Sequence, residues 1–340
     1  KCVEQTALAL SALRAASKIA EYTGNTITAA KFDALANRTA ALMTSTFWLQ
    51  SIGAWGSAEW NGDIRLRPEA QENFAVVSRG LGDYVTTQQA YLSSRYLREV
   101  LFIGDRDNVT LEVINDWWPI VWSHQYVANG DAAQSCLAAC RAGDVDGYHP
   151  MLKSVTAGQY FTSDATMGNE QFNDGFATGM KDLVELQPAM LEAVVRGYYG
   201  VDLRLMENLI VISPNLPSEW VKSGKSVSIS TPDLQYNFTQ ANGKLVVELK
   251  TWTARTIQMD LPIRAAVNSV STTLSLFAQT VPSSFTPVSG LVNRARVRVR
   301  SAAATAYMKA EVLFGSEARI VGNRTVVLGT PTTFSVQHAT

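Results

Sequence analysis

The spacing of apolar residues changes near residue 206, and this change constrains the chain more than any other feature. Before it, apolar residues recur every three or four positions. After it, they alternate. Helices and strands have those two periods, so each half is committed to a different kind of element. The 340 residues are also long for one ordinary core. The expected organisation is therefore a helical-hairpin domain over 1–205 followed by an antiparallel β-sandwich over 206–340.

In "QTALALSALRAASKIAEYTGN", Leu8, Ala12, Ala16 and Ile19 repeat at helical spacing, and Gly24 supplies a stop. The next segment, "TAAKFDALANRTAALMTSTFW", is expected to bury Phe32, Leu35, Leu42 and Met43. These two make a helical hairpin. Residues 49–83 carry Gly and Pro without a sustained period and read as one long irregular loop, a kind usually tied to function. Helical pattern returns in "DYVTTQQAYLSSRYLREVLF", then over 118–141, 145–157 and 173–199, where Asp174 is placed to cap the last helix. That makes about six helices joined as hairpins.

Beyond 206, "ENLIVIS" and "KSVSIS" read as strands. "LQYNFTQANGKLVVELK" is the clearest hairpin, with alternating Leu234, Tyr236 and Phe238, a turn at Asn242-Gly243, and alternating Leu245, Val247 and Leu249. Further strands are expected at "RTIQMDL", "RARVRVR", "AEVLF", "RTVVLG" and "TFSVQ". The Ser-, Thr- and Pro-rich stretch 268–289 reads as a loose connection. Arg294, Arg296, Arg298 and Arg300 share one strand face. That face reads as solvated and guarded by charge against edge pairing, with an anion-binding stripe as the other reading.

Net charge is −1, so no global field recruits nucleic acid or an anionic membrane. No apolar run is long enough to span a bilayer. Cys2, Cys136 and Cys140 are an odd set, and Cys136 and Cys140, four apart in helical sequence, read as small buried hydrophobes. A metal would need more ligands, and His149 is the one candidate nearby. Four sequons, at Asn37, Asn108, Asn237 and Asn323, fit a secreted protein in an extracellular or periplasmic setting. Lys1 opens directly in helical sequence, which suggests a mature or cleaved product, or a sequence that begins mid-protein.

The chain lacks a P-loop, a dinucleotide-binding glycine fingerprint, His-Glu-x-x-His and Gly-x-Ser-x-Gly. What it concentrates is tryptophan beside carboxylates. Six of its eight Trp fall between residues 48 and 122. Trp55 and Trp60 sit with Glu59 and Asp63, while Trp117, Trp118 and Trp122 surround Asp116 and His124. Flat rings stack on the C–H faces of sugars, and cleaving a glycosidic bond takes two carboxyl groups across it. Each residue also has a plainer reading. Trp118 and Trp122, four apart, suit a core stripe, Asp116 suits a helix N-cap, Asp63 suits a turn, and His124 suits a hydrogen-bonded core position. Glu59 has no evident structural task in the sequence.

The order of elements resembles the C-terminal part of six-hairpin (α/α)6-barrel glycoside hydrolases, the rhamnosidase-like enzymes above all. The resemblance rests on "YYGVDLRLMENLIVISPNLPSEW" followed by "VSISTPDLQYNF". In the first, Gly200-Val201-Asp202, the run Leu209–Ile212, Pro214, Pro217 and Trp220 fit the family's passage from its last barrel helix into a sandwich. In the second, Ile229, Thr231, Pro232, Asp233 and Tyr236 fit. "FWLQSIGAWGSAEWNGD" and "DWWPIVWSHQYV" look like its active-site-side elements, although "EWNGD" spaces its two acids differently. The resemblance implies a glycosidase of extracellular glycan working without a cofactor. Glu59 would be general acid, Asp116 its partner and Asp63 the reserve, with Trp55, Trp60, Trp117, Trp122 and His124 against the sugar. It also implies that the helical part is half of a barrel, completed by an upstream segment or a second chain. The other expectation is a glycan-binding or structural protein that keeps the fold.

Overall fold

The computed structural model describes residues 2–65, 69–106, 109–112, 126–160, 170–172, 186–222, 224, 226–241, 244–252, 255–263, 267–274, 279–280, 286–288, 293–300, 306–314, 319–320 and 336–337. The chain divides into two compact units, 1–198 and 199–340. The division falls ahead of 205/206 because strand β9 below already pairs within the second unit.

The first unit opens with the hairpin of α1 (Val3–Tyr22) and α2 (Thr26–Phe47). Asn25 caps α2 by accepting from the Thr28 amide at 3.1 Å. Residues 48–65 then form two small β-hairpins. Strands β1 (Trp48–Leu49) and β2 (Ala54–Trp55) pair, as do β3 (Ala58–Trp60) and β4 (Asp63–Arg65). Helix α3 (Ala70–Gly80) follows. The single long loop expected over 49–83 is thus two hairpins and a helix. The Asn61-Gly62 pair is the reason for the second hairpin. Asn61 has φ 52° and Gly62 φ 86°, and two left-handed residues in a two-residue loop match the twist of the flanking strands.

Helix α4 (Thr87–Leu101) begins with a reciprocal cap. The Gln89 amide donates to Thr86 Oγ1 at 3.1 Å, and the Thr86 amide donates to Gln89 Oε1 at 3.0 Å. Strands β5 (Phe102–Arg106) and β6 (Val109–Glu112) pair, as do β7 (Tyr126–Ala128) and β8 (Glu170–Phe172). Helices α5 (Asn129–Ala142), α6 (Val145–Tyr160) and α7 (Leu186–Glu192) complete the unit, and a π-turn over Ala193–Tyr198 ends it. Expected helix over 118–128 therefore gives way, at 126–128, to strand. Asp174 and the start of its helix lie outside the described residues.

The core of this unit gathers Val3, Ala7, Met43, Phe47, Trp55, Val76, Val77 and Val85 from α1, α2, the first hairpin, α3 and the turn after it. The buried row of α1 is Val3, Ala7, Leu10, Ser17 and Ala20, and that of α2 is Ala29, Ala36, Ala40, Met43 and Phe47. Of the stripes expected inside, only Met43 is buried. Leu8, Ala12, Ile19, Leu35 and Leu42 point outward, and Ala16 and Phe32 are half-buried. Both helices are apolar on two sides, so periodicity alone picked the wrong one.

The second unit begins with the antiparallel pair β9 (Val201–Arg204) and β10 (Leu209–Ile212). Gly200, at φ +65°, lets the chain turn against Ser213, where a Cβ would stand 1.8 Å from the Ser213 carbonyl oxygen. A short helix, α8 (Ser218–Lys222), leads to β11 (Ser226–Ser230), β12 (Leu234–Ala241), β13 (Lys244–Thr251) and β14 (Thr256–Ile263). Then come β15 (Val267–Leu274), β16 (Gln279–Thr280), β17 (Thr286–Val288), β18 (Asn293–Arg300) and β19 (Ala306–Phe314). One sheet runs β17-β18-β14-β10-β9 and the other β11-β12-β13-β19-β15-β16. The β10–β14 pair is parallel, which departs from the wholly antiparallel expectation. The stretch 268–289 is more ordered than expected, because β15 pairs along its length with β19.

Each sheet has one fully buried row. Leu234, Tyr236, Phe238, Leu245, Val247 and Leu249 supply it in the larger sheet, and Ile210, Ile212, Ile257, Met259 and Leu261 in the smaller. The alternation read for β12 and β13 matches these positions. In β18 the arginine positions stand opposite Thr256, Gln258, Asp260 and Pro262, while Ala295, Val297 and Val299 stand opposite the buried row. "RTVVLG", expected as a strand, lies outside the described residues.

Candidate functional site

Glu59 sits on β3, one residue before the turn. The Gly62 amide donates to Glu59 Oε1 at 2.8 Å. The carboxylate therefore has a structural task that the sequence did not reveal: it accepts an amide at the left-handed tip of the Asn61-Gly62 turn. The hairpin is held at its base as well. The Val3 amide donates to the Ser57 carbonyl at 2.9 Å, the Ser57 amide donates to the Arg65 carbonyl at 2.8 Å, and Cys2 bridges to Ala58. The first amide of α1 is thus met by Ser57, just before the strand that carries Glu59.

The register separates the two acids of this hairpin. Glu59 stands opposite Ile64, and Trp60 opposite Asp63. Residues opposite one another share a face and successive residues alternate, so Glu59 and Asp63 lie on opposite faces. Asp63, exposed at the turn, is not placed to serve as Glu59's partner across one bond. Asp116, Trp117, Trp118, Trp122 and His124 lie outside the described residues, as do Asn108 and Asn323.

Trp55 is 3% exposed and belongs to the core. Its ring packs on Trp48 with centroids 5.2 Å apart at 58°. The sugar-platform role expected of Trp55 is one that so enclosed a ring cannot fill. Flat aromatic surface in a loop was the signal, and the hairpin folding the loop onto α2 is why it misled. The Trp55 Nε1–H is buried and has no hydrogen-bond partner among the described residues.

Asn37 is exposed on α2, and its Oδ1 accepts from Arg14 Nη2 at 2.9 Å. Arg14 also grips Asp83 through two bonds of 2.7 Å, a fork geometry that guanidinium and carboxylate share. Hydrogen bonding to Asp83 holds the Arg14 guanidinium above its ordinary range. These residues border an open recess of about 480 Å³ whose other walls include Ala40, Ala41, Thr44 and Tyr84. The carboxylate of Asp83 is 69 residues from Arg14 in sequence, so no local pattern announces the pair. Asn237 sits in β12 opposite Ser228 and Glu248.

Cys136 and Cys140 are buried on α5, as small apolar residues would be. Burial pushes the Cys140 thiol well above its ordinary value. His149 Nδ1 lies 3.4 Å from Tyr198 Oη inside the same helical layer. Among the described residues no three His, Cys, Asp or Glu side chains gather as a metal site would require. No helix among them is long and apolar enough to cross a membrane.

Two solved structures carry the same arrangement of elements. The α-L-rhamnosidase from Dictyoglumus thermophilum aligns with 88% of this chain at a TM-score of 0.50 and 10% identity. The Streptomyces avermitilis α-L-rhamnosidase complexed with L-rhamnose aligns with 90% at 0.51 and 12%. The fold is that of part of an (α/α)6 glycosidase. This chain spans 31% of the first enzyme's length and 26% of the second's. At such identity the likeness concerns the fold alone. No family model and no curated protein matches the chain.

Proposed function

We propose that the chain is part of a secreted glycoside hydrolase that cleaves a glycan with two carboxyl groups and no cofactor. The observation that carries this reading is the likeness of about nine-tenths of the chain to α-L-rhamnosidases. Glu59 and Asp116 are the proposed pair, with Trp60, Trp117, Trp122 and His124 against the sugar. Glu59 is the proposed general acid and Asp116 its partner, with the Glu59 carboxylate also accepting the Gly62 amide. Sequons at Asn37 and Asn237 fit secretion, and a helical segment outside these residues would complete the barrel.

The test is a screen of the purified native product on aryl glycosides, with an α-L-rhamnoside first because the aligned enzymes are rhamnosidases. Release of the aryl group from one glycoside supports the reading. Inertness towards every glycoside, together with measurable glycan binding, supports a second reading, a non-catalytic glycan-binding protein. That alternative draws on Trp55 being core and Glu59 serving its own turn.

A further inference from the structure

The open recess beside Arg14 lies away from the hairpin that carries Glu59. Val3, whose amide meets Ser57, opens α1, and Arg14 stands eleven residues further along it, about 16 Å at the rise of an α-helix. The volume of about 480 Å³ is of the size that takes a small ligand. Helix α2 forms the floor. Asn37, Ala40, Ala41 and Thr44 follow one another at spacings of three, one and three, so they share one side of the helix. The two alanines keep the middle of the floor low, and a polar side chain stands at each end of it.

The bonds already made determine what is left over. A guanidinium only donates, so Asn37 turns its Oδ1 to Arg14. Its Nδ2 amide then has no partner among the described residues. Asp83 takes two bonds from Arg14, and a carboxylate has about four acceptor sites. Tyr84, half-buried in the wall, has a hydroxyl with no partner among the described residues. The charges are matched as well. Arg14 meets Asp83 at 2.7 Å and Asp33 at 3.6 Å. An anion would face both carboxylates, and a cation would have to displace Arg14 from Asp83.

We propose that this recess binds one neutral sugar unit of a glycan and holds it without cleaving it. Sugar hydroxyls both donate and accept, so they suit the Asn37 amide, the Asp83 oxygens and the Thr44 hydroxyl together. The apolar C–H face of the sugar ring lies on Ala40, Ala41 and the Tyr84 ring. Among the described residues Asp83 is the one carboxylate of the lining, and cleavage takes two. The site retains glycan at a distance from Glu59, and it does not require the chain to be a hydrolase.

Binding of the full product of the natural gene to an array of neutral, sulfated and sialylated glycans tests this. Every protein on the array carries Thr39→Ala, which removes the Asn37 sequon without touching the lining, and Glu59→Gln, which leaves bound glycans uncut. Asn37→Ala removes the amide. Ala41→Gln fills the recess from an exposed helix position and keeps a good helix former. The expected result is binding of at least one neutral glycan, weakened about tenfold or more by each variant, with the melting temperature of Ala41→Gln unchanged. Binding that Ala41→Gln leaves at full strength overturns the proposal. So does a preference for sulfated or sialylated glycans, and so does failure to bind any neutral glycan. Aryl-glycoside turnover is followed in parallel with Glu59 restored, and Ala41→Gln is expected to leave it unchanged. Turnover without binding that depends on Ala41 would sink the recess alone. Binding that depends on Ala41 without turnover would sink the hydrolase reading and leave the recess standing.

Discussion

Single residues carry more than one duty in the helical unit, and sequence reading recovers one duty at a time. Glu59 was legible as a loop carboxylate, but its contact with the Gly62 amide was not, because it depends on the two left-handed residues between them. Trp55 was legible as an aromatic anchor, but not as a core one. Its replacement should therefore show in stability. Trp55→Ala is expected to lose about 3–5 kcal/mol in denaturant unfolding. Trp55→Phe should lose less, since it keeps a ring and removes an N–H that has no partner among the described residues. Equal losses would mean that Nε1 is satisfied. Asp144, 7% exposed, meets Arg98 Nε at 3.3 Å. Burial raises the Asp144 carboxyl above its ordinary 3.8, and Arg98 opposes the rise without cancelling it. A raised carboxyl favours the protonated fold. Its contribution is full below 3.8 and is lost as pH climbs through the raised value. Asp144→Asn should flatten that fall in a pH series of unfolding curves. An unchanged slope would assign the pH dependence to other groups.

Among the elements, those with one apolar face were the most legible. The alternation in β12 and β13 placed Leu234, Tyr236, Phe238, Leu245, Val247 and Leu249 inside, because a one-residue slip would have turned each to solvent. Helix α4 (Thr87–Leu101) falls inside the helical pattern read in "DYVTTQQAYLSSRYLREVLF". The segment 48–65 was less legible. A turn at Asp63 was read there, but strands of two or three residues are too short to establish a period. Helices α1 and α2 were found while their inward faces were misread, because small alanines fill the buried rows and larger residues the outward ones. At the entry to the second unit, Gly200 is a local signal with a firm consequence. Gly200→Ala would drive a Cβ into the Ser213 carbonyl. It should destabilise the unit containing β9 and β10 by more than about 1 kcal/mol. Calorimetry that resolves the units should show that transition moving down. No movement would mean that the chain opens there at little cost.

For the whole molecule, the passage from helices to strands was readable, although the sequence reading put it at 205/206 and the compact units divide after residue 198; the solved rhamnosidases share the arrangement of elements. The second carboxylate was readable only as a type of residue in a type of loop, since nothing in sequence reports how far Asp116 stands from Glu59. The central claim is that Glu59 takes part in glycoside cleavage as well as in its turn. Glu59→Gln separates the two duties, because the amide oxygen can still accept from the Gly62 amide while the group no longer exchanges a proton or attacks. The deciding measurement is aryl-glycoside turnover by the native product and by this variant, with sugar binding and melting temperature followed alongside. The account predicts a loss of about 10²–10⁴-fold in turnover with binding and melting temperature held. Turnover equal to the native protein's would contradict it.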